Sequence, residues 1–403
     1  MNEQAYKRRL RKRHLKNKGF KWMCGMAILF SALFLCIFFY DIVTKAIPAF
    51  TKTEVEATLD YKEAHANADP TSEAILTGDS SYAVDETTWE MDVLSRSAFW
   101  HVDDVLEEYK DQPENLPEAD TSWHLASSSV DQYVKNGISG KLNKEQQAYV
   151  RKLQEEGKIR TSFSLSILTN DDNNNPEVAG MKGAMIGSLW IIFVTVLVSV
   201  PVGVLTAVYL EEYAPKNKFT AFIEVNINNL AAIPSIIFGL LGLLLFIGEL
   251  GVPRSSPLAG GLTLGLMMLP IIIISTRASL RSIPNSIREA ALAIGASKWQ
   301  TVQHHVVPLA IPGIVTGSIL SMAQAMGETA PLLMVGLNSS VTETPSSLTD
   351  DSNSLPTLIF QWSNAAERGF SERTAAAILI MLIILIVMNG LAVWMRNKFE
   401  RRW

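Results

Sequence analysis

The chain has 403 residues, a formal net charge of −5, two cysteines and a mean hydropathy of +0.17. Such a length allows two or three domains, and two cysteines exclude a disulfide-built scaffold. The mean hydropathy conceals two populations: apolar runs of roughly 18–25 residues, long enough to cross a bilayer, and one long polar segment.

The chain opens on a basic stretch, Lys7, Arg8, Arg9, Arg11, Lys12, Arg13, Lys16, Lys18 and Lys21. A first span follows at about Trp22–Tyr40; it exceeds the roughly 7–15 apolar residues of a secretory leader, so an uncleaved span is expected. Cys24 and Cys36 lie on it about 18 Å apart, too far to pair. Residues 41–182 form a polar insertion with 27 Asp and Glu against 13 Lys and Arg. Within it Asp103–Tyr109, Val130–Asn136 and Asn143–Glu156 read as helices, the last capped by Asn143. Ala57–Asp92 is weakly patterned, and Thr169–Pro176 reads as a turn or linker.

Five further spans are expected at about Ala184–Tyr209, Val225–Phe246, Leu258–Thr276, Leu309–Val335 and Ala375–Trp394. Pro234, Pro312 and Pro331 predict kinks or broken ends. Lys and Arg concentrate before the first span, in the loop Arg277–Pro308 and in the tail Arg396–Arg402. That bias puts all three, and both termini, on the cytoplasmic side and 41–182 outside. Beside a membrane span, the basic start is topogenic; nucleic acid is not an expected partner.

Between the fourth and fifth spans lies PNSIREAALAIGASKWQTVQHHVVP. Ser286 and Glu289 have capping-box spacing, and Ser297 and Gln300 repeat it. Ile287, Ala290, Ala291 and Ile294 share one helical face, and Gly295 stands where a left-handed residue would end the helix. Two short amphipathic helices in a bend suit docking to a partner, since a bend alone needs fewer residues. His304 and His305, being adjacent, do not face one way, and no metal site is expected. No G-x-x-x-x-G-K-[ST] phosphate loop occurs, so no ATP site is expected in this chain.

The loop resembles the EAA loop of ABC-importer permeases in Glu289, Ala290, Ala291, Gly295 and Pro308; His305 and Val307 depart from that family's Ile and Leu. The run Gly327-Glu328-Thr329-Ala330-Pro331-Leu332-Leu333 resembles the signature of phosphate permeases of the PstA type. Gly203–Pro215, Asn229–Gly239 and Trp299-Gln300-Thr301 add matches in the same order, from Gly183 onward. The resemblance implies an all-α polytopic membrane protein of the bacterial inner membrane. It has a type I permease core of five helices (183–396), an N-terminal transmembrane helix (22–40) and an external insertion domain (41–182). Short cytoplasmic tails at 1–21 and 397–403 complete the division, with the coupling loop at 277–308.

The resemblance further implies a permease subunit rather than an enzyme. Its expected partners are a second phosphate permease subunit, two ATPase subunits, an external phosphate-binding protein and membrane lipid. ATP and Mg²⁺ would sit on the ATPase subunits, with no cofactor on this chain. Glu289, Ala290, Ala291 and Gly295 are the expected ATPase-coupling residues. For the translocation path or gate the candidates are Glu328, Thr329, Gln324, Arg277 and Arg281. An ionisable Glu328 in an apolar span is a functional candidate by default, and an anion path needs positive charge; Gln324 stands where the family often has Arg. Two other readings share part of the pattern. A permease for another oxyanion or polar solute fits the loop. A membrane-anchored sensor fits the external insertion, though little chain follows Trp394 to carry an output.

Overall fold

A computed structural model describes residues 3–66, 83–85, 88, 91–109, 112–338 and 340–399. Most of the weakly patterned stretch before Asp92, and tail residues Arg401 and Arg402, lie outside the described residues.

Helix α1 (Glu3–Ala46) carries the first apolar run and is exposed along nearly all of it. The chain then forms β1 (Thr51–Leu59), α2 (Arg96–Glu108), β2 (Asp120–Leu125), α3 (Ser128–Asn136), α4 (Lys144–Glu155) and β3 (Ile159–Phe163). The strands make one antiparallel sheet in the order β2-β1-β3, with Val55 opposite both His124 and Ile159. The three helices expected in this segment are present. The predicted Asn143 cap is a full capping box with Gln146. The sheet adds to the all-α reading, which describes the membrane part. Val55, Leu59, Val102, Leu106, Val130 and Val150 form its own core. Glu54 on the central strand is buried, which alone would raise its carboxyl. Hydrogen bonds from Lys52 and Arg160 outweigh burial and hold it below the usual value.

Thr169–Pro176 is more than a linker. Buried Asp172 accepts hydrogen bonds from Trp362 Nε1 and Ser340 Oγ, both at 2.9 Å. Glu177 accepts from Ser95 Oγ at 2.6 Å, and Asn136 Nδ2 donates to Glu372 at 2.5 Å. The bonds of Glu177 and Asn136 seat the sheet unit on one end of the membrane helices. Burial pushes both Asp172 and Glu177 carboxyls upward, only partly offset by those donors.

The membrane part comprises α5 (Lys182–Val208), α6 (Lys218–Leu230), α7 (Ser235–Gly242), α8 (Pro257–Arg281), α9 (Asn285–Ala293), α10 (Lys298–Thr301), α11 (Val307–Gly327), α12 (Ala330–Met334), α13 (Leu355–Ser363) and α14 (Gly369–Phe399). Among the described residues five helices are long and apolar enough to cross a membrane, or six if one bent pair counts as a span. That pair is the third expected span. Lys218–Leu230 and Ser235–Glu249 meet at 103°. Pro234 supplies no N–H and disfavours helical geometry at Ile233, so the expected kink is a sharp corner. Helices α5 and α8 form the tight pair: a Cβ at Gly261 would stand 2.5 Å from Val194 Cβ. Thr195 Oγ1 also reaches Gly261 O at 3.1 Å. Small residues permit such close approach where both helices are apolar.

Candidate functional site

Two regions gather the candidate residues, one at each end of α11. Its 21 residues separate them by about 30 Å.

At the first end, α9 is followed by a reversal and then α10. Pro284 precedes α9 and no side chain caps it. The expected Ser286–Glu289 box therefore does not form: the helix begins at Asn285, two residues too early for Ser286 to cap it. Glu289 is exposed and free of the cap. The helix closes as expected. Gly295 has φ +92°, its N–H bonds Leu292 O at 3.0 Å and Ala296 N–H bonds Ala291 O at 3.1 Å, the pattern of a Schellman motif. The second box, Ser297 with Gln300, forms in both directions.

Ala291 packs inward at 5% exposure, while Ala290 beside it is exposed. Ile294 is 83% exposed and Trp299 63%. The expected apolar face thus turns outward at its end. Ile287, Ala290, Ile294, His304, His305 and Pro308 border a concavity of about 630 Å³. Exposed apolar rims around a small-residue floor are the kind of surface that a protein partner can cover.

The cationic candidates are already neutralised. Arg277, 9% exposed, donates to Glu224 at 2.6 Å and to Glu211 at 3.2 Å. Arg281 donates to the same Glu211 at 2.9 Å. An arginine shared between carboxylates presents little free positive charge to a passing anion. The acidic partners lie on the wide turn Tyr209–Tyr213 after α5 and on α6. Their sequence signal was the Glu-Glu pair at the second-span exit.

At the other end the helical run stops at Gly327. Glu328 is extended, at φ −79° and ψ 120°, and the short α12 follows. Pro331 provides the reason, since it denies a helical N–H at that turn. Glu328 therefore sits in a break, not within a continuous helix as its apolar surroundings suggest. It is half-buried and has no ion-pair partner among the described residues. Thr329 is half-buried beside it and Gln324 is exposed one turn earlier. The break rests on α7, where a Cβ at Gly239 would stand 2.7 Å from Pro331 Cα. The corner after Pro234 and the break at Glu328 thus support each other.

Apolar spans, a broken third span and an exposed helical loop between the fourth and fifth define a multi-pass membrane permease. Residues 199–403 match the family described as "Binding-protein-dependent transport system inner membrane component", and the chain belongs to that family. Residues 7–144 match a second family, described only as a domain of unknown function. The chain is 37% identical over 173 residues to "Probable ABC transporter permease protein YqgI" of Bacillus subtilis; the match covers 43% of this chain and 58% of that relative. It is 36% identical over 225 residues to "Phosphate transport system permease protein PstA 1" of Mycobacterium tuberculosis, covering 55% and 72%. With "Phosphate transport system permease protein PstA" of Haemophilus influenzae it shares 32% identity over 225 residues, covering 56% and 78%.

Proposed function

We propose that the chain is the permease subunit of an ATP-driven phosphate importer, forming half of the translocation path beside a second permease subunit. Two ATPase subunits would dock from the cytoplasm and a phosphate-binding protein would deliver substrate outside. Phosphate is favoured by relatives named for its transport. The observation that carries the coupling role is the exposed α9–α10 loop, with Glu289, Ala290 and Ile294 turned to solvent. Ala290 and Ala291 allow close approach of a partner, Gly295 sets the turn, and Glu289 offers a charge at the contact. ATP and Mg²⁺ are held by the ATPases. Their closure moves the loop, the loop tilts the spans, and the path opens outward. Glu328, Thr329 and Gln324 are the path or gate candidates; Arg277 and Arg281 act there only through the carboxylates they hold.

The test is affinity purification of the full chain from membranes in mild detergent, with mass spectrometry of what accompanies it. The wild type should retain an ATPase and a second permease. Ile294→Asp should lose the ATPase yet keep normal membrane abundance, because the side chain makes little contact within its own chain. ATPase retention by Ile294→Asp, or its absence from the wild type, would contradict the docking role.

A further inference from the structure

The Glu211-Glu212-Tyr213 segment lies outside the docking surface, yet it gathers side-chain contacts from α8, α9 and α10. The guanidinium of Arg288, on α9 one residue before Glu289, donates to Glu212 Oε1 at 2.6 Å through Nη2. Its Nε lies 3.2 Å from both Glu212 oxygens. The same group donates through Nη1 to Ile283 O at 2.9 Å and through Nη2 to Leu280 O at 3.0 Å. Leu280 lies in the last turn of α8 and Ile283 two residues past its end, so the guanidinium also grips the point where α8 gives way to the loop. The pair is withdrawn from solvent, with side chains 18% and 7% exposed. One residue further, Lys298 of α10 stands 5.2 Å from the Tyr213 ring centroid, a cation–π contact. Glu211 meanwhile holds Arg277 and Arg281 of α8.

Both arms of the loop are therefore tied to one turn, and that turn is the direct continuation of α5. We propose that Tyr209–Tyr213 is the receiver of the coupling stroke. Arg288 joins the docking helix to the ends of the second and fourth spans at once, and Lys298 holds the other arm on the same turn. A displacement of α9 then pulls α5 and α8 together. Besides the clasp, α9 meets α8 through the connection 282–284 and through Ile287, which packs on Leu280 and Ile283; of these links the clasp is the one made by charge. Arg288 and Glu212 are positioning residues: they touch neither ATP nor substrate. The inference rests on the coupling role of the loop.

The experiment uses the assembled transporter in liposomes, with internal phosphate and ATP consumption measured together. Glu212→Gln keeps the shape and removes the charge; Arg288→Gln removes the fork. Each should keep the ATPases bound but lower phosphate imported per ATP by about tenfold. The double variant should be no worse than the worse single one, because both break one link. Wild-type import per ATP in both single variants, or losses that multiply in the double, would overturn the receiver role. If Arg288→Gln fails to reach the membrane, Arg288→Lys decides. A point charge meets Glu212 but not both carbonyls as well, so import per ATP should still fall, and an unchanged ratio would overturn the proposal. Failure of the underlying reading looks different: the wild-type assembly would then lack ATPase or show no ATP-driven uptake.

Discussion

Gly295 offers a graded test of the docking loop. Its φ of +92° lies in the region that side chains rarely adopt, and nothing stands within 4 Å of an added Cβ. Alanine therefore meets no clash, and its whole cost is the backbone, about 1–2 kcal/mol. That corresponds to a roughly 5–30-fold smaller population of the native turn relative to its alternatives. Asparagine, which tolerates left-handed geometry better, should cost less. Proline is fixed at φ of about −65° and removes the N–H that meets Leu292 O. A lost bond of about 0.5–1.5 kcal/mol then adds to a backbone that cannot take the observed turn. Phosphate uptake by whole cells, normalised to membrane abundance, should fall in the order Gly, Asn, Ala, Pro, with Gly295→Pro inactive. Normal uptake by Gly295→Pro would refute the reasoning, since no version of this turn accommodates it.

Glu328→Gln should transport far less than it assembles. If the carboxylate meets a cation of the second permease, removing its charge leaves that cation unpaired at a cost of about 3–5 kcal/mol; near-normal uptake at wild-type abundance would reject that role. With Cys24 and Cys36 replaced by Ser, a cysteine at exposed Ser139 should label with an impermeant thiol reagent in intact cells. One at Ser286 should label only after the membrane is opened, and the reverse pattern would invert the topology. Glu177 should make the seat of the sheet unit firmer in acid. Its carboxyl is raised by burial, so the folded state holds the proton to higher pH than the unfolded chain. The associated stability is complete below the ordinary glutamate value of about 4.3 and is lost as pH rises through the raised one. Melting temperatures in detergent from pH 4 to 8 should show this slope, and Glu177→Gln should flatten it; an unchanged slope would show that Glu177 is not its source.

The spans were legible because hydropathy depends on composition alone, and Pro234 marked where the third one turns. Gly295 and the Ser297–Gln300 box were legible because caps and left-handed turns have local chemistry. The Ser286–Glu289 box had the same spacing but did not form: Pro284 started the helix earlier, a competition that spacing does not express. The sheet went unread because its strands pair across 60 or more intervening residues, as in Glu54 with Leu125. The same limit hid the Arg277 and Arg288 partners. Glu211 and Glu212 lie 66 and 76 positions away, so Arg277 read as free charge when the fold has already neutralised it, and Arg288 carried no signal. Glu328 was visible as an acid among apolar residues, but its position in a break depends on how α12 rests on α7.

The central claim is tested most directly by uptake into liposomes. They would contain this chain with its co-purifying partners, ATP inside the compartment that the α9–α10 loop faces, and the binding protein on the other side. Radiolabelled phosphate should accumulate against its gradient, only with hydrolysable ATP, and excess sulfate should not compete. Accumulation of another solute in preference to phosphate, or phosphate movement that ignores ATP, would contradict the account.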